Sequence, residues 1–262
     1  MTGAALWAAV PPLTAGRDLL LVLAGVAAGI FNGVAGGGTL IAFPTLLAMG
    51  YPALTANVTT TVGIWPGYLG GTAGFRHEIV DQRSLVRVLA PAAGLGAVTG
   101  AALLLTTPSA QFANLAPWLV LFAAVLFAVQ PLLLRAFGPG AHDHRTRRVL
   151  LFGGTFLTSV YGGYFGAAMG IMLLAVLGLA LPDDLARTSA LRTILSVLVN
   201  GIAALVFVAR AELAWGAVAM LAVGSLVGGW VGAHMARRLP APALRVIVVA
   251  IGVATAVKLA VS

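Results

Sequence analysis

The sequence predicts an all-helical integral membrane protein built from two inverted repeats, and three observations carry that prediction. Of its 262 residues, 60% are hydrophobic and only 8% are charged, whereas about a quarter of the residues in soluble domains are charged. Apolar runs long enough to span a bilayer, about 18 residues or more, recur from one end of the chain to the other. Two of these runs are too long for one crossing, and each has a glycine cluster near its middle.

Eight apolar segments are expected, at about 19–50, 53–75, 84–107, 113–137, 149–181, 185–209, 213–236 and 242–261. A straight helix over either of the two long segments would measure about 48 Å, against a hydrocarbon core of about 30 Å. Glycine clusters disfavour a helix interior, by about 1 kcal/mol for each glycine relative to alanine. We therefore expect each long segment to be a helical hairpin that turns at its glycines and returns to the side it entered from. A single crossing is the alternative.

The two halves of the chain repeat. A shift of 130 residues places Gly33 on Gly163, Gly36 on Gly166, Ala56 on Ala186, Thr59 on Ser189, Gly71 on Gly201 and Gly94 on Gly224. The order of long and ordinary segments also matches, which is stronger evidence than the glycines alone. The expected organisation is a single membrane transport domain over 1–262, with repeat 1 at about 18–137, a linker at about 138–148 and repeat 2 at about 149–261.

Charge placement favours the hairpins. If both long segments return, one side of the membrane carries Arg76, Arg83, Arg87, Arg135, Arg145, Arg147, Arg148, Arg237, Arg238 and Arg245, with Arg187 near it. The other side keeps only Arg17, Arg210 and Lys258. Basic residues accumulate on the cytoplasmic side of membrane proteins. Each half is then a re-entrant hairpin followed by three transmembrane helices, so the two repeats are inverted and both termini face away from the cytoplasm.

The glycine clusters predict an anion site. After Gly36–Gly38 the chain can restart as a short helix from Thr39, and after Gly166–Gly170 another can start near Ile171. The first backbone N–H groups of a helix have no partner within it and carry its positive dipole end, which suits an anion. Two such ends would converge from opposite sides of the bilayer. The alternative is that the glycines only let helices pack closely.

Side chains next to the hairpins could complete this site. Arg192 lies more than two turns inside its expected helix, where a cation costs about 2.5 to 3.5 kcal/mol and is usually functional. The alternative is that the helix starts later and Arg192 reaches the membrane surface. Arg187 has the alternative of reaching the cytoplasmic surface or pairing with Asp183 or Asp184. The threonines have the alternative of bonding to carbonyls one turn back, and the asparagines that of joining helices. The expected substrate-binding residues are Asn32, Gly36, Gly37, Gly38, Thr39, Asn57, Thr59, Thr60, Thr61, Gly166, Gly170, Arg187, Thr188, Ser189, Arg192 and Asn200.

The sequence lacks the residues that several other classes of function would need. All seven acidic residues fall at expected span ends or in loops, so no intramembrane carboxylate is expected to relay protons or bind a cation. The chain has no cysteine and no HExxH, GxSxG or GxxxxGK motif, and His142 with His144 falls short of a metal site. We expect no enzyme activity, no cofactor, no metal and no nucleic-acid partner. The expected partners are a small anion and the lipid bilayer, and the sequence does not define an oligomeric state.

Two stretches of the first half resemble a known family. Residues 29–44 read GIFNGVAGGGTLIAFP and residues 55–61 read TANVTTT, which resembles the first repeat of the sulfite exporter TauE/SafE family, also called the TSUP transporters. In the second half, GGYFG at 162–166 with ARTSA at 186–190 is similar to that family's second repeat. The second turn departs from the glycine triplet, reading GAAMG at 166–170, and has no counterpart of Pro44.

The resemblance implies transport of small sulfur-containing anions, such as sulfite or organosulfonates like sulfoacetate, across a bacterial inner membrane. It covers about residues 18–260, and export is typical of many members. We therefore expect a multi-pass inner-membrane exporter with alternating access to a central site between the two hairpin turns. An anion channel is the first alternative. A membrane enzyme or accessory subunit acting on lipid-linked substrates is the second, and it would need a deep carboxylate or histidine pair that the sequence lacks.

Overall fold

The computed structural model describes residues 15–34, 36–72, 75–136, 144–181, 185–235 and 241–261. These residues form α-helices joined by short connections, and we number the helices in chain order. They are α1 (Ala15–Val34), α2 (Thr39–Ala48), α3 (Ala53–Thr72), α4 (Arg76–Asp81), α5 (Arg83–Thr106), α6 (Ser109–Ala136), α7 (His144–Tyr164), α8 (Met169–Ala180), α9 (Leu185–Arg210), α10 (Trp215–Met235) and α11 (Ala241–Val261). The expected restarts at Thr39 and near Ile171 are the first turns of α2 and α8. Asp183 and Asp184, named above as possible partners of Arg187, lie outside the described residues.

Five helices in the described part of the chain are long and apolar enough to cross a membrane. They are α1, α5, α6, α9 and α10, so the chain is an all-helical, multi-pass membrane protein, as the composition predicts. Their outward faces carry exposed large apolar side chains such as Trp118 and Leu205, as expected of surfaces that meet lipid. Helix α3 has 20 residues but is more polar, because it contains Asn57 and Thr59–Thr61. These polar side chains are buried inside the protein.

The first long segment reverses direction at its glycines. A methyl group built on Gly38 would collide with the carbonyl oxygen of Ala28, ten residues earlier in the chain. At the other end of α2, burial raises the pKa of the Tyr51 phenol, and the charges of Arg17 and Asp18 at the start of α1 also act on it. The residues after the glycines therefore run back along α1 toward its first turn.

The second long segment follows the same path. A methyl group on Gly162, near the end of α7, would collide with the Met169 side chain at the start of α8. A methyl group on Gly154, two turns earlier in α7, would lie 2.7 Å from the side chain of Val176, two turns later in α8. Since the contacts move in opposite directions along the two helices, α8 is antiparallel to α7.

Small residues allow α1 and α3 to pack closely on α10. Partner positions increase together along the helices, so α1, α3 and α10 all run in the same direction, and such small-residue contacts are the usual way in which membrane helices approach closely. Because α1 and α3 are parallel, α2 must return the chain to the end at which α1 begins. The contacts are Gly25 with Leu221 and Gly29 with Ser225 for α1, and Gly63 with Leu221 and Gly67 with Ser225 for α3.

A second parallel group contains α5, α7 and α9. Gly96 of α5 contacts Phe156 of α7, and Gly100 contacts Val160. The Gln82 side chain, just before α5, donates a hydrogen bond of 2.9 Å to the carbonyl of Arg187 near the start of α9, and Gly94 meets Ile202 further along both helices. Helix pairs match between the halves: α1 packs on α10 as α7 packs on α5, and α3 packs on α10 as α9 packs on α5.

The two short helices lie in the core between these groups. Nearly every residue of α2 from Thr39 to Leu46 is buried, and α8 buries Met169, Leu173 and Leu177. A helix that is apolar on all sides is expected to be buried on all sides. Burial of α2 and α8 brings the glycine turns that precede them into the interior of the protein.

Candidate central site

The two glycine turns meet inside the protein. A methyl group built on Gly36 would lie 3.2 Å from the Cα atom of Gly170, and one built on Gly170 would lie 3.2 Å from the Cα atom of Gly36. Gly36 also has φ of +80°, a left-handed conformation that favours glycine. The predicted convergence of the two turns is therefore present as a direct backbone contact.

Arg192 covers this contact. Its Nη1 atom lies 3.1 Å from a methyl group built on Gly36 and 3.4 Å from one built on Gly170. The side chain is only 4% exposed, its Nη2 donates a 3.2 Å hydrogen bond to Thr193 Oγ1, and its Nε has no hydrogen-bond partner. Among the described residues, its titratable neighbour is the Tyr68 phenol, which is uncharged near neutral pH, and no carboxylate acts on it. A buried cation without a counterion is unfavourable, and an anion beside it would remove that penalty.

Three polar side chains extend the site away from Arg192. The Tyr68 side chain of α3 lies next to the side chains of Asn200 and Thr39. A methyl group built on Gly166 would lie 3.7 Å from Asn200 Oδ1 and 4.0 Å from Thr39 Oγ1. Asn200 is held by its Nδ2, which donates a 3.0 Å hydrogen bond to the carbonyl of Ser196. Both turns and helices α2, α3 and α9 therefore contribute to one buried cluster.

Six of the residues expected from the sequence come together in this cluster: Gly36, Thr39, Gly166, Gly170, Arg192 and Asn200. Tyr68 was missing from that expectation. It lies on α3 on the same helical face as Asn57 and Thr61, since positions 57, 61, 64 and 68 recur at helical spacing. A polar stripe that ends in a tyrosine is the signal that could have identified it.

The second turn contains a strained alanine. Gly166 has φ of +78°, close to the +80° of Gly36, but Ala168 also has φ of +61°, which costs a residue with a Cβ about 1 to 2 kcal/mol. The departure from the glycine triplet noted in the sequence therefore falls on a position where glycine would be relaxed. In both halves the turn glycine donates its N–H to the carbonyl five residues earlier, Phe31 at 2.8 Å and Tyr161 at 3.2 Å.

Several of the residues expected to bind substrate also make contacts within the protein. A methyl group on Gly37 would collide with the Phe127 ring, and the Gly38 amide donates a 2.7 Å hydrogen bond to Asn32 Oδ1. The Thr59 hydroxyl accepts a 3.2 Å hydrogen bond from the amide of Ala214. The Thr61 hydroxyl donates to the carbonyl of Asn57, at 3.1 Å, as the alternative interpretation of the threonines predicted.

The remaining expected residues have mixed surroundings. Asn57 Nδ2 donates to the carbonyl of Tyr164 at 2.9 Å, while Asn57 Oδ1, Asn32 Nδ2 and the Thr60 hydroxyl are buried without a hydrogen-bond partner. Thr188 is buried, and the half-buried Ser189 accepts a 2.8 Å hydrogen bond at its carbonyl from Thr193. Arg187 is exposed, which is the surface position that its alternative interpretation described.

The cluster offers one guanidinium, two hydroxyls and an amide, with no acidic side chain from the described residues. Hydrogen bonds from an ionised donor are about twice as strong as neutral ones, and a guanidinium can bind an oxyanion through two parallel N–H groups. Proton transfer or nucleophilic chemistry needs a base or an activated nucleophile, and Arg192, Tyr68, Thr39 and Asn200 supply neither near neutral pH. The arrangement is therefore suited to binding an oxyanion.

Comparison with known proteins supports a membrane transporter. The family model described as "Sulfite exporter TauE/SafE" matches residues 21–259. A "Probable membrane transporter protein" of Haemophilus influenzae is 31% identical over 228 residues, covering 84% of this chain and 86% of the relative. The "Probable membrane transporter protein YfcA" of Escherichia coli K12 is 25% identical over 231 residues, covering 86% and 82%. No solved structure gives a significant match.

Proposed function

This chain belongs to the sulfite exporter TauE/SafE family, and on that basis we propose that it exports small sulfur-containing oxyanions, such as sulfite or sulfoacetate, across a bacterial inner membrane. Its curated relatives are named as probable membrane transporters, so the class of activity is membrane transport. The sulfur chemistry of the substrate and the direction of transport come from the family. The residues of the central site support an oxyanion.

The buried Arg192 guanidinium between the two turns is the observation that carries the proposal. It is 4% exposed, touches Gly36 and Gly170, and has no acidic neighbour in the described part of the chain. A cation in a bilayer is retained where it serves a substrate or ion pathway. An oxyanion that contacts Arg192, Tyr68 and Thr39 would touch both halves of the protein at once.

We propose that the two halves are inverted repeats and that they move against each other around this site. Two features of the packing support inversion. Helices α1, α3 and α10 run in one direction, whereas α5, α7 and α9 are parallel to one another. Helix α3 is antiparallel to α9, since Trp65 Nε1 donates to the carbonyl of Val197 at 3.1 Å and Thr55 shares a cavity with Arg210. Corresponding helices α3 and α9 thus point in opposite directions, as in transporters built from inverted repeats.

The distribution of charge supports an orientation in the membrane. The end of the bundle where α5, α7 and α9 begin carries Arg83, Arg87, Arg145, Arg147, Arg148 and Arg187, whereas the end where α1 begins and α9 ends carries Arg17 and Arg210. We assign the arginine-rich end to the cytoplasm, because basic residues accumulate there. The glycine hairpins then enter from opposite sides, the first from the outer side and the second from the cytoplasmic side.

Two measurements on purified protein test this function. A thermal-shift panel of sulfite, sulfate, thiosulfate, sulfoacetate, taurine and chloride should give stabilisation by one or more of the sulfur oxyanions and none by chloride. Uptake into proteoliposomes should saturate and should show counterflow with that same anion. Stabilisation by none of the oxyanions would contradict the proposed site, and flux without saturation or counterflow would identify a channel.

A further inference from the structure

A cavity with a mainly apolar lining and a few polar side chains lies at the end of the molecule where α3 begins and α5 and α9 end. Its volume is about 390 Å³, within the range of about 300 to 1,000 Å³ that is typical of small-molecule sites. This end carries Arg17 and Arg210 and is the outer side in the orientation proposed above. The lining residues that matter here are Thr55, Val58, Leu105, Ser109, Arg210 and Glu212.

The chemistry of the cavity suits a small oxyanion in transit. Arg210 supplies a positive charge, and Thr55 and Ser109 supply hydroxyl donors. Arg210 is exposed to solvent, so its attraction for an anion is weakened by water and salt. Glu212 lines the same cavity and opposes anions. Such a site would hold its ligand weakly, which is what passage through a transport pathway requires.

Tyr164 connects this cavity to the central site. The residue after Asn57, Val58, lines the cavity, and Asn57 itself donates to the carbonyl of Tyr164 at 2.9 Å. Thr107, between the lining residues Leu105 and Ser109, has its hydroxyl 3.4 Å from the Tyr164 hydroxyl. Tyr164 precedes Gly166 of the central site by only two residues. Both polar groups of Tyr164 are therefore held by residues that lie next to lining residues in the sequence, Asn57 beside Val58 and Thr107 between Leu105 and Ser109.

Aromatic rings fill the space beside Tyr164. The Phe112 ring lies 6.0 Å from the Tyr164 ring and 6.4 Å from the Phe165 ring. Phe165 in turn meets Phe43 of α2 edge to face, at 5.3 Å. Phe43, Phe112 and Phe165 are each no more than 1% exposed. Packed rings therefore lie next to Tyr164, between the second turn and the residues that adjoin the cavity lining.

We propose that this cavity is the outer mouth of the anion pathway and that Tyr164, held by Thr107 and Asn57, closes it from the central site. The inference rests on the proposed transport function and adds a route and a gate to it. In the conformation described here the gate is closed. Release of the Tyr164–Thr107 contact would open the cavity toward Thr61, which lies one turn beyond Asn57 on the same face of α3.

The absence of cysteine from the sequence makes the mouth directly testable. Ser109→Cys would introduce the one thiol of the protein, and its labelling in intact cells would be compared between two membrane-impermeant reagents, the anionic sulfonatoethyl methanethiosulfonate and the cationic trimethylammonioethyl methanethiosulfonate. We expect labelling from the outer side. Arg210→Gln should lower the anionic-to-cationic rate ratio by about two- to fivefold, and Glu212→Gln should raise it. Lys258, which the sequence places on the same side as Arg210, does not line the cavity, so Lys258→Gln should leave the ratio unchanged.

The gate is tested with Thr61→Cys as the reporter. Tyr164→Phe keeps the ring but removes the hydroxyl, and Thr107→Val removes the other hydroxyl at nearly constant size. Each should accelerate labelling of the deep thiol by about two- to tenfold, the shift expected from loss of one neutral hydrogen bond. The double variant should be no faster than the faster single variant, because both remove the same contact.

Three results would overturn the inference: labelling of Ser109→Cys only from the cytoplasmic side, a rate ratio that ignores Arg210, or labelling of Thr61→Cys that is insensitive to both gate variants. Where an anion is added to compete with the labelling reagents, sulfoacetate would be used, because sulfite itself reacts with the methanethiosulfonates. Oxyanion counterflow measured on the same preparations separates the two proposals. If counterflow persists while any of these results is obtained, the proposed outer mouth and gate are wrong and the proposed transport function stands.

Discussion

Gly36 and Gly170 pack backbone against backbone, and a methyl group on either would lie 3.2 Å from the Cα atom of the other. They belong to different halves of the chain, one before α2 and the other in the first turn of α8. Arg192 Nη1 lies beside both. The contact between these glycines is therefore the point at which the two broken segments and the buried cation meet, and any movement between the halves must change it.

We expect alanine at this contact to impair transport, and more severely at Gly36. Gly36→Ala places a methyl group 3.1 Å from Arg192 Nη1 and 3.2 Å from Gly170 Cα, and also forces alanine into φ of +80°, which adds about 1 to 2 kcal/mol. Gly170→Ala has only the steric contact. Counterflow rates and melting temperatures in detergent would measure both. Gly153→Ala, with nothing within 4 Å of the new methyl group, is the matched control and should keep wild-type transport; equal losses for all three variants would contradict the prediction.

Replacing the buried cation should separate stability from activity. Arg192→Met retains an unbranched side chain of similar length but removes a charge that has no acidic partner among the described residues. We expect transport to be lost. The free energy of unfolding of the ligand-free protein should rise by about 1 to 3 kcal/mol, because a buried charge without a partner is unfavourable. Thermal melting without and with the stabilising oxyanion would show a higher melting temperature and no response to the anion.

A surface arginine provides the comparison for that result. Arg148 is exposed, so Arg148→Gln should change neither the melting temperature nor the response to the anion, as is usual for surface substitutions. If Arg192→Met still transports with wild-type kinetics, the residue has no part in the mechanism and the site lies elsewhere.

The Tyr68 hydroxyl should contribute to affinity for the anion. Tyr68→Phe keeps the ring of a side chain that is 4% exposed but removes the hydroxyl that faces Asn200 and Thr39. Loss of one hydrogen bond of about 1 kcal/mol should weaken anion binding about fivefold, as measured by titration of the thermal shift. Tyr161→Phe serves as the control, since the Tyr161 hydroxyl has no hydrogen-bond partner. Unchanged affinity in Tyr68→Phe would mean that the Tyr68 hydroxyl does not contact the anion.

The strained alanine predicts an unusual response to glycine. Ala167 and Ala168 are both fully buried, so glycine at either position removes a methyl group and adds freedom to the unfolded chain, a loss of about 1 to 2 kcal/mol. At Ala168 the relief of φ +61° should offset most of that loss. We expect Ala168→Gly to stay within about 0.5 kcal/mol of wild type while Ala167→Gly is clearly destabilised. Chemical denaturation would measure the difference, and a larger loss at Ala168 would contradict it.

Local patterns were sufficient to predict the elements of the fold. The glycine clusters interrupt helix formation within a few residues, so the restarts expected at Thr39 and near Ile171 agree with helices that begin at Thr39 and Met169. The depth of Arg192 follows from counting turns along α9, and its burial agrees. Tyr68 was missed because its hydroxyl acquires a role only through Thr39 and Asn200, which lie in other helices.

Hydroxyl and amide side chains were the least predictable part of the site. Thr59 accepts a hydrogen bond from Ala214, 155 positions away, and Asn57 donates to Tyr164, 107 positions away. Before folding, these side chains have the same hydrogen-bonding capacity as Thr39 or Asn200. Which of them binds the backbone of a distant helix and which faces the central cluster depends on contacts that no local spacing encodes.

On its own, the sequence established that the protein lies in a membrane, that two long segments break at glycines, and that one arginine is deeply buried, because composition, segment length and helical spacing are local properties. Only the tertiary structure decided that Gly36 meets Gly170 beneath Arg192, that Tyr68 lies next to Thr39 and Asn200, and that Thr59, Gly37 and Gly38 contact other parts of the protein. Those outcomes depend on how helices from the two halves approach one another, and that approach is set by the packing of the whole bundle.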